Sequence, residues 1–346
     1  MASCTRTLRR AASSSGADWQ SALAESVRSP AELCRLLGLD PALAAEAAAA
    51  AGDFSLLAPR PYLARIRPGN PADPLLLQIL PRAAETATAP GYRPDPLGEA
   101  DACYGPGLLR KYQGRVLMVT TGACAVHCRF CCRRHFPYAD RPCTVAAWGP
   151  ALRKIAADRS TDEVILSGGD PLTLPDLDLA QLADQLAEIP HVRRLRVHSR
   201  LPVMIPQRVT DELISWLRGS RLSPIMVVHV NHPAEIDQQV AETLGRLVDA
   251  GIPVLNQSVL LRGINDRADV LAELYGRLAD LRVIPYYLHQ LDPVAGAAHF
   301  EVPIAAGIAL MAELRARLPG YAVPRYVRET PGGTSKEVLA TSSSTP

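Results

Sequence analysis

The sequence predicts an α/β fold: an incomplete parallel barrel of six strand-helix units, preceded by a helical segment and followed by a short C-terminal segment. Two observations carry this. From Val116 onward, short β-rich runs alternate with helical stretches, the rhythm of a parallel sheet wrapped by crossover helices. The polar motifs Ser167-Gly168-Gly169-Asp170, His198-Ser199-Arg200, His229 to His232 and Asn256-Gln257-Ser258 fall at the ends of those runs, where barrels of this kind place their chemistry.

The elements follow in order. Residues 1–17 are rich in Arg and Ser, lack acids and lack an apolar stretch of secretory length, and read as a disordered tail, with an organellar transit peptide as the alternative. Residues 18–107 form a helical and irregular region. Asp18-Trp19 opens one helix, Ser29-Pro30 opens a second with an N-cap and a first-position Pro, and 42–51 is an Ala-rich third. From residue 58 frequent Pro and Gly predict an irregular layer with a few short helices. Residues 108–300 carry the barrel, with strands at 116–120, 163–166, 194–198, 225–230, 254–259 and 283–288. Helical patterns at 180–188, 211–218, 235–250 and 268–279 lie between them. Residues 301–346 supply a C-terminal helix and a Gly-rich turn before Lys336.

Composition bounds the function. A chain of 346 residues that is 48% hydrophobic with net charge +2 suits one large soluble domain. Its longest apolar runs are strand-sized, so no membrane span is expected, and no Lys/Arg run marks a nucleic-acid partner. Four of the eight cysteines lie between Cys124 and Cys132. Clustered thiols without a signal peptide favour a reducing cytoplasm and a metal centre.

The cysteine run is Cys124-Ala-Val-His-Cys128-Arg-Phe-Cys131, placed just after the first barrel strand. Thiolates are the usual ligands of iron–sulfur clusters, and three of them leave one iron open to a small molecule. A four-ligand zinc site is the alternative, with His127, Cys132, His135 or Cys143 as the fourth donor. Cys132 directly follows Cys131, and adjacent side chains in a tight loop rarely face one metal, so it reads as a spectator.

This loop resembles the signature of the radical SAM superfamily, and Gly168-Gly169-Asp170-Pro171 resembles its glycine-rich contact to S-adenosylmethionine (SAM). The resemblance implies a [4Fe–4S] cluster on Cys124, Cys128 and Cys131, with SAM chelated by the open iron and split on reduction to methionine and a 5′-deoxyadenosyl radical. It also implies SAM contacts at Gly168, Gly169, Asp170, His229 and Gln257.

Over nearly the whole chain the sequence is similar to the lysine 2,3-aminomutase family, in particular its short bacterial branch that makes β-lysine for modification of elongation factor P. The carrying segments are 104–115, the cysteine loop with 133–138, 166–172, 198–200, 256–262, 285–292 and 331–336. The family uses pyridoxal 5′-phosphate (PLP) on a lysine after a Gly-rich turn, which implies Lys336, with Lys111, Tyr112 and Arg115 on the phosphate. Arg133 matches the residue that grips the substrate carboxylate. Asp292 and Glu329 match the acids facing the substrate ammonium, although longer members have Asp where Glu329 stands. The resemblance further implies L-lysine as substrate, a low-potential electron donor such as flavodoxin or ferredoxin, and a link to elongation factor P and its lysylating enzyme. Ten residues follow Lys336, too few for the zinc-binding extension of the long members, so no such site is expected. The competing readings are an aminomutase for glutamate or arginine, and an iron–sulfur protein that is not a mutase.

Overall fold

The computed structural model describes residues 19–138 and 145–340. The tail at 1–17, Asp18 and Cys143 lie outside the described residues. The N-terminal layer contains α1 (Trp19–Ala24), α2 (Pro30–Leu36) and α3 (Pro41–Ala50). Their starts are written in the sequence. Ser29 Oγ accepts from the Glu32 amide at 3.4 Å, Asp40 Oδ1 accepts from the Ala42 amide at 2.8 Å, and Pro occupies the first position of α2 and α3. The Pro-rich stretch adds only single-turn helices, α4 (Arg60–Leu63) and α5 (Pro74–Leu77).

A ten-stranded sheet runs in sequence order. It opens with β1 (Cys103–Gly105) and β2 (Leu108–Leu109), which pair antiparallel with each other and then with β3 (Arg115–Thr121). The crossovers then proceed through α6 (Gly149–Ala157), β4 (Glu163–Gly168), α7 (Asp176–Ala187), β5 (Arg194–Ser199), α8 (Leu201–Met204), α9 (Asp211–Arg218) and β6 (Ser223–Val228). They continue with α10 (Gln238–Asp249), β7 (Val254–Val259), α11 (Ala268–Asp280), β8 (Ile284–His289), α12 (Ile304–Arg317) and β9 (Arg325–Arg328). Strands β3 through β9 are all parallel, and β10 (Glu337–Val338) returns antiparallel on β9. β1 and β10 do not pair, so the barrel stays open. The expected six strands are present, and a seventh parallel strand, β9, follows the sixth crossover.

Hydrophobic burial explains the crossovers. In α10, Val240, Leu244 and Leu247 fall on one face and are fully buried, and α11 does the same with Leu271, Leu274 and Leu278. The sequence pattern starts α10 at residue 235, yet the helix begins at Gln238 with Asp237 Oδ1 accepting from the Val240 amide at 2.9 Å. The reason is Glu235, whose carboxylate turns inward to the amides of Asn231 and His232 at 2.9 and 3.1 Å.

A buried charge cluster joins the N-terminal layer to the barrel. Glu85, with its side chain 1% exposed, accepts from Arg129 Nε at 2.8 Å and Arg134 Nη2 at 2.9 Å. Arg129 also donates to the Phe54 carbonyl at 2.7 Å. Removing a buried carboxylate strands its guanidiniums, which costs ~3–5 kcal/mol. Glu85→Gln should therefore lower the urea midpoint by that stability at unchanged slope. A loss below about 1 kcal/mol, the range of exposed pairs, would show the cluster to be well hydrated.

Candidate active site

The loop after β3 is pinned from outside. The His127 amide donates to Leu57 O at 2.9 Å, the His127 ring stacks on Phe54 at 4.7 Å with Nδ1 2.7 Å from Ser55 O, and the Arg129 amide donates to Gln78 O at 2.9 Å. His127 thus faces the N-terminal layer, and His135 Nε2 lies 3.1 Å from Ala295 O. Cys124, Cys128 and Cys131 are free thiols on this loop. Burial first, then the neighbouring Cys131, pushes the Cys124 thiol up, and burial with Cys128 pushes Cys131 up to about 11. Arg200 Nη1 donates to Cys128 Sγ at 2.8 Å and is itself held by Gln78 and by Glu235 at 3.0 Å. Among the described residues no three His, Cys, Asp or Glu side chains converge to hold a metal ion. Three thiols within eight residues of one loop are a donor set for a multi-iron cluster, in which each thiolate takes a different iron.

The Gly-Gly-Asp motif lies flat against the start of this loop. The Gly169 amide donates to Thr121 O and the Asp170 amide to Ala123 O, both at 2.7 Å. A Cβ on Gly168, which has φ +127°, would lie 2.5 Å from Thr121 O, and one on Gly169 2.2 Å from Ala123 O. Tyr138 donates to the Gly168 carbonyl at 2.6 Å. The Asp170 side chain is engaged by the protein itself. Its carboxylate accepts from Ser199 Oγ and the Arg200 amide at 2.7 Å, the Leu172 amide at 3.0 Å and the Leu201 amide at 3.2 Å. With four donors filling it, the side chain ties β4 to the end of β5, and any ligand contact from this motif comes from backbone.

Three imidazoles line the strand ends. His198, His229 and His289 each leave Nε2 buried without a partner. Burial, and then Arg200, holds His229 down at about 4; burial, and then Lys336, holds His289 down at about 3. The rings of His198 and His229 are 5.8 Å apart. Neutral rings with an orphaned nitrogen suit a polar, uncharged heterocycle or hydroxyl. Asn256 and Ser258 direct their polar atoms to Val230, and strand alternation turns Gln257 to the opposite face. Only His229 and Gln257 of these are marked as site residues by the sequence; His198 and His289 lie unsingled within its motifs.

Five charges then cross the mouth of the barrel. Lys336 Nζ pairs with Glu329 Oε2; Lys111 Nζ lies 2.7 Å from Glu329 Oε1 and 3.0 Å from Glu99 Oε1; Arg133 Nε lies 2.7 Å from Glu99 Oε2. Burial works against the charge of Glu99, but Arg133 and Lys111 outweigh it and hold the carboxyl at about 2. Lys336 and Lys111 do the same for Glu329, also at about 2. Glu99 carries no motif and escapes sequence reasoning. Lys111, expected on a phosphate, is engaged by two carboxylates. Arg115 lies 4.8 Å over the Tyr112 ring, no carboxylate pairs with it among the described residues, and the Tyr112 hydroxyl is buried and unpartnered. Lys336 Nζ is 6.0 Å from the Tyr287 ring. Asp292 joins the same group: desolvation, then the charge of Glu329, pushes its carboxyl up to about 7.

Residues 118–274 match the Radical SAM superfamily. The chain is 46% identical over 327 residues to the L-lysine 2,3-aminomutase of Escherichia coli (strain K12), spanning 93% of this chain and 94% of that protein. Identity to the Haemophilus influenzae L-lysine 2,3-aminomutase is 43%, over 93% of this chain and 96% of that one. To the Clostridium subterminale L-lysine 2,3-aminomutase it is 40%, over 80% of this chain and 66% of that one.

The chain belongs to the lysine 2,3-aminomutase family of radical SAM enzymes. Membership makes it an isomerase and implies a [4Fe–4S] cluster and SAM. The thiols of the loop, the flat Gly168-Gly169 backbone and the unpartnered imidazoles are a donor set that fits both. No described helix is long and apolar enough to cross a membrane.

Two outcomes follow from this geometry. Iron and sulfide counted after anaerobic reconstitution should fall in Cys124→Ala, Cys128→Ala and Cys131→Ala and hold in Cys132→Ala; a cluster that survives loss of Cys131 but not of Cys132 would reverse the assignment. Separately, Asp292 attracts a cation only when ionised. An aminomutase site should therefore bind cationic amino acids more tightly as pH rises through about 7, and Asp292→Asn should flatten that limb. KM for lysine measured on either side of neutrality checks this, and an identical profile in the variant would exclude Asp292 as its source.

Proposed function

We propose that the protein converts L-lysine to β-lysine by 2,3-amino migration, with the cluster on Cys124, Cys128 and Cys131 and PLP on Lys336. The observation that carries the substrate is Glu329: both of its oxygens already hold lysine ammonium groups, with Asp292 beside them. When bound, the cluster and SAM would supply radical hydrogen abstraction at C3, and PLP would supply the π-system that makes the nitrogen migration feasible.

The chain's own residues supply binding and orientation. Arg133 receives the α-carboxylate through its planar fork. Asp292 and Glu329 receive the far ammonium, and so repel the side chain of glutamate. Arg115, Lys111 and the Tyr112 hydroxyl form the cationic and hydrogen-bonding set that a phosphate dianion needs. The Gly168 and Gly169 backbone, His229 and Gln257 contact SAM, and Asp170 keeps that backbone flat from behind. A substrate locked at both ends leaves C3 a fixed approach to the radical.

A low-potential flavodoxin or ferredoxin would reduce the cluster in the cytoplasm, and the product would serve modification of elongation factor P by its lysylating enzyme. The likeness to the short bacterial branch is what supports these readings.

Product analysis of protein reconstituted with iron, sulfide, PLP, SAM and reductant should give β-lysine from L-lysine and no β-isomer from glutamate or arginine. Borohydride reduction with peptide mapping should place the pyridoxyl group on Lys336. Asp292→Asn should lower kcat/KM for lysine on the order of 10²-fold with cofactors retained. Full lysine activity in that variant, or preference for glutamate in the wild type, removes lysine as the substrate.

A further inference from the structure

We propose that Glu99 is a positioning residue that fixes the direction from which the substrate carboxylate meets Arg133. The inference rests on Arg133 being the carboxylate partner, as read above. A guanidinium carries five N–H donors in one plane. Glu99 takes the inner side of the Arg133 plane, with Nε at 2.7 Å from Oε2 and Nη2 at 2.8 Å from Oε1. Ser167 Oγ accepts from Nη1 at 3.1 Å. One N–H on each Nη is left for a second carboxylate.

Glu99 is itself fixed. Its side chain is 4% exposed. Its amide donates to Asp95 Oδ1 and the Ala100 amide to Asp95 Oδ2, both at 3.0 Å, and Gly98 before it adopts φ +63°. Its second duty is Lys111 at 3.0 Å, so the carboxylate fork and the phosphate-side ammonium share one anchor. The same turn packs against the approach to Lys336: a Cβ on Gly98 would lie 3.4 Å from Pro331 Cβ. Without the charge on Glu99, Arg133 and Lys111 would repel each other across a poorly hydrated gap, and the guanidinium plane would lose the contact that sets its rotation.

Lysinamide, which lacks the carboxylate, separates this role from general structure. In reconstituted holoenzyme, wild-type protein should prefer lysine to lysinamide by a factor on the order of 10² in kcat/KM. Glu99→Gln should raise the lysine KM by about tenfold with a smaller change in kcat, and should collapse most of that preference. Glu99→Asp, which restores the charge one methylene short, should recover part of both. Iron, sulfide and PLP content should match the wild type in each variant. Glu99→Gln with unchanged lysine KM and unchanged preference overturns the role of Glu99 alone. Loss of iron or PLP from both variants makes Glu99 structural and likewise overturns it. A wild type that treats lysine and lysinamide alike removes Arg133 as the carboxylate partner, and the inference with it.

Discussion

The site depends on one constraint: five alternating charges, Arg133, Glu99, Lys111, Glu329 and Lys336, must neutralise one another where water is scarce. A single carboxylate here would be driven toward protonation by desolvation, as Asp292 is. Glu99 and Glu329 stay ionised because each lies between two cations. The series also ties together stretches that are distant in sequence: the turn at 95–100, the approach to β3, the cysteine loop and the segment before β10. Removing one member leaves its neighbours uncompensated, so the group behaves as a unit rather than as separable contacts.

A second buried set supports the cysteine loop from the other side. Arg200 reaches Cys128 from the end of β5, and Gln78 of the N-terminal layer accepts from it while donating to Glu235 Oε1 at 3.1 Å. Asn231 Nδ2 donates to the same Gln78 at 3.0 Å. The N-terminal region, which reads in sequence as helices and an irregular layer, therefore supplies the outer wall of the loop. Phe54, Ser55, Leu57, Gln78 and Glu85 all contact it through backbone, ring or carboxylate. Such a wall fixes the spacing of thiols that the loop alone would leave free.

Much of this was legible in sequence, and the misses share a cause. The six strands of the expected barrel stand out because each is a buried run at a parallel-sheet spacing, and the cysteine loop and Lys336 stand out because their residue types are rare and closely spaced. β1, β2, β9 and β10 are two to four residues long, too short for any period to register. Glu99 is one acid in a Pro- and Gly-rich stretch, and its partner Arg133 is 34 residues away. Asp170 is legible as a motif residue, but only the fold reveals that the end of β5 fills its carboxylate. Local patterns identify which residues are special, whereas pairing across the chain determines what each one does.

Lys336 sits beside a short antiparallel edge of the sheet. β10 pairs with β9 through two residues, supported by the Leu339 amide on Tyr326 O at 2.9 Å and an exposed Arg328–Glu337 pair. Exposed pairs contribute little, and short edge pairings open at far lower free energy than buried strands. The segment can thus peel away while the barrel behind it stays folded. Amide protons at Val338 and Leu339 would exchange with solvent long before those of β4 to β7. With PLP on Lys336 as proposed, such local fraying would give the bulky phosphate-bearing ring a route past this segment.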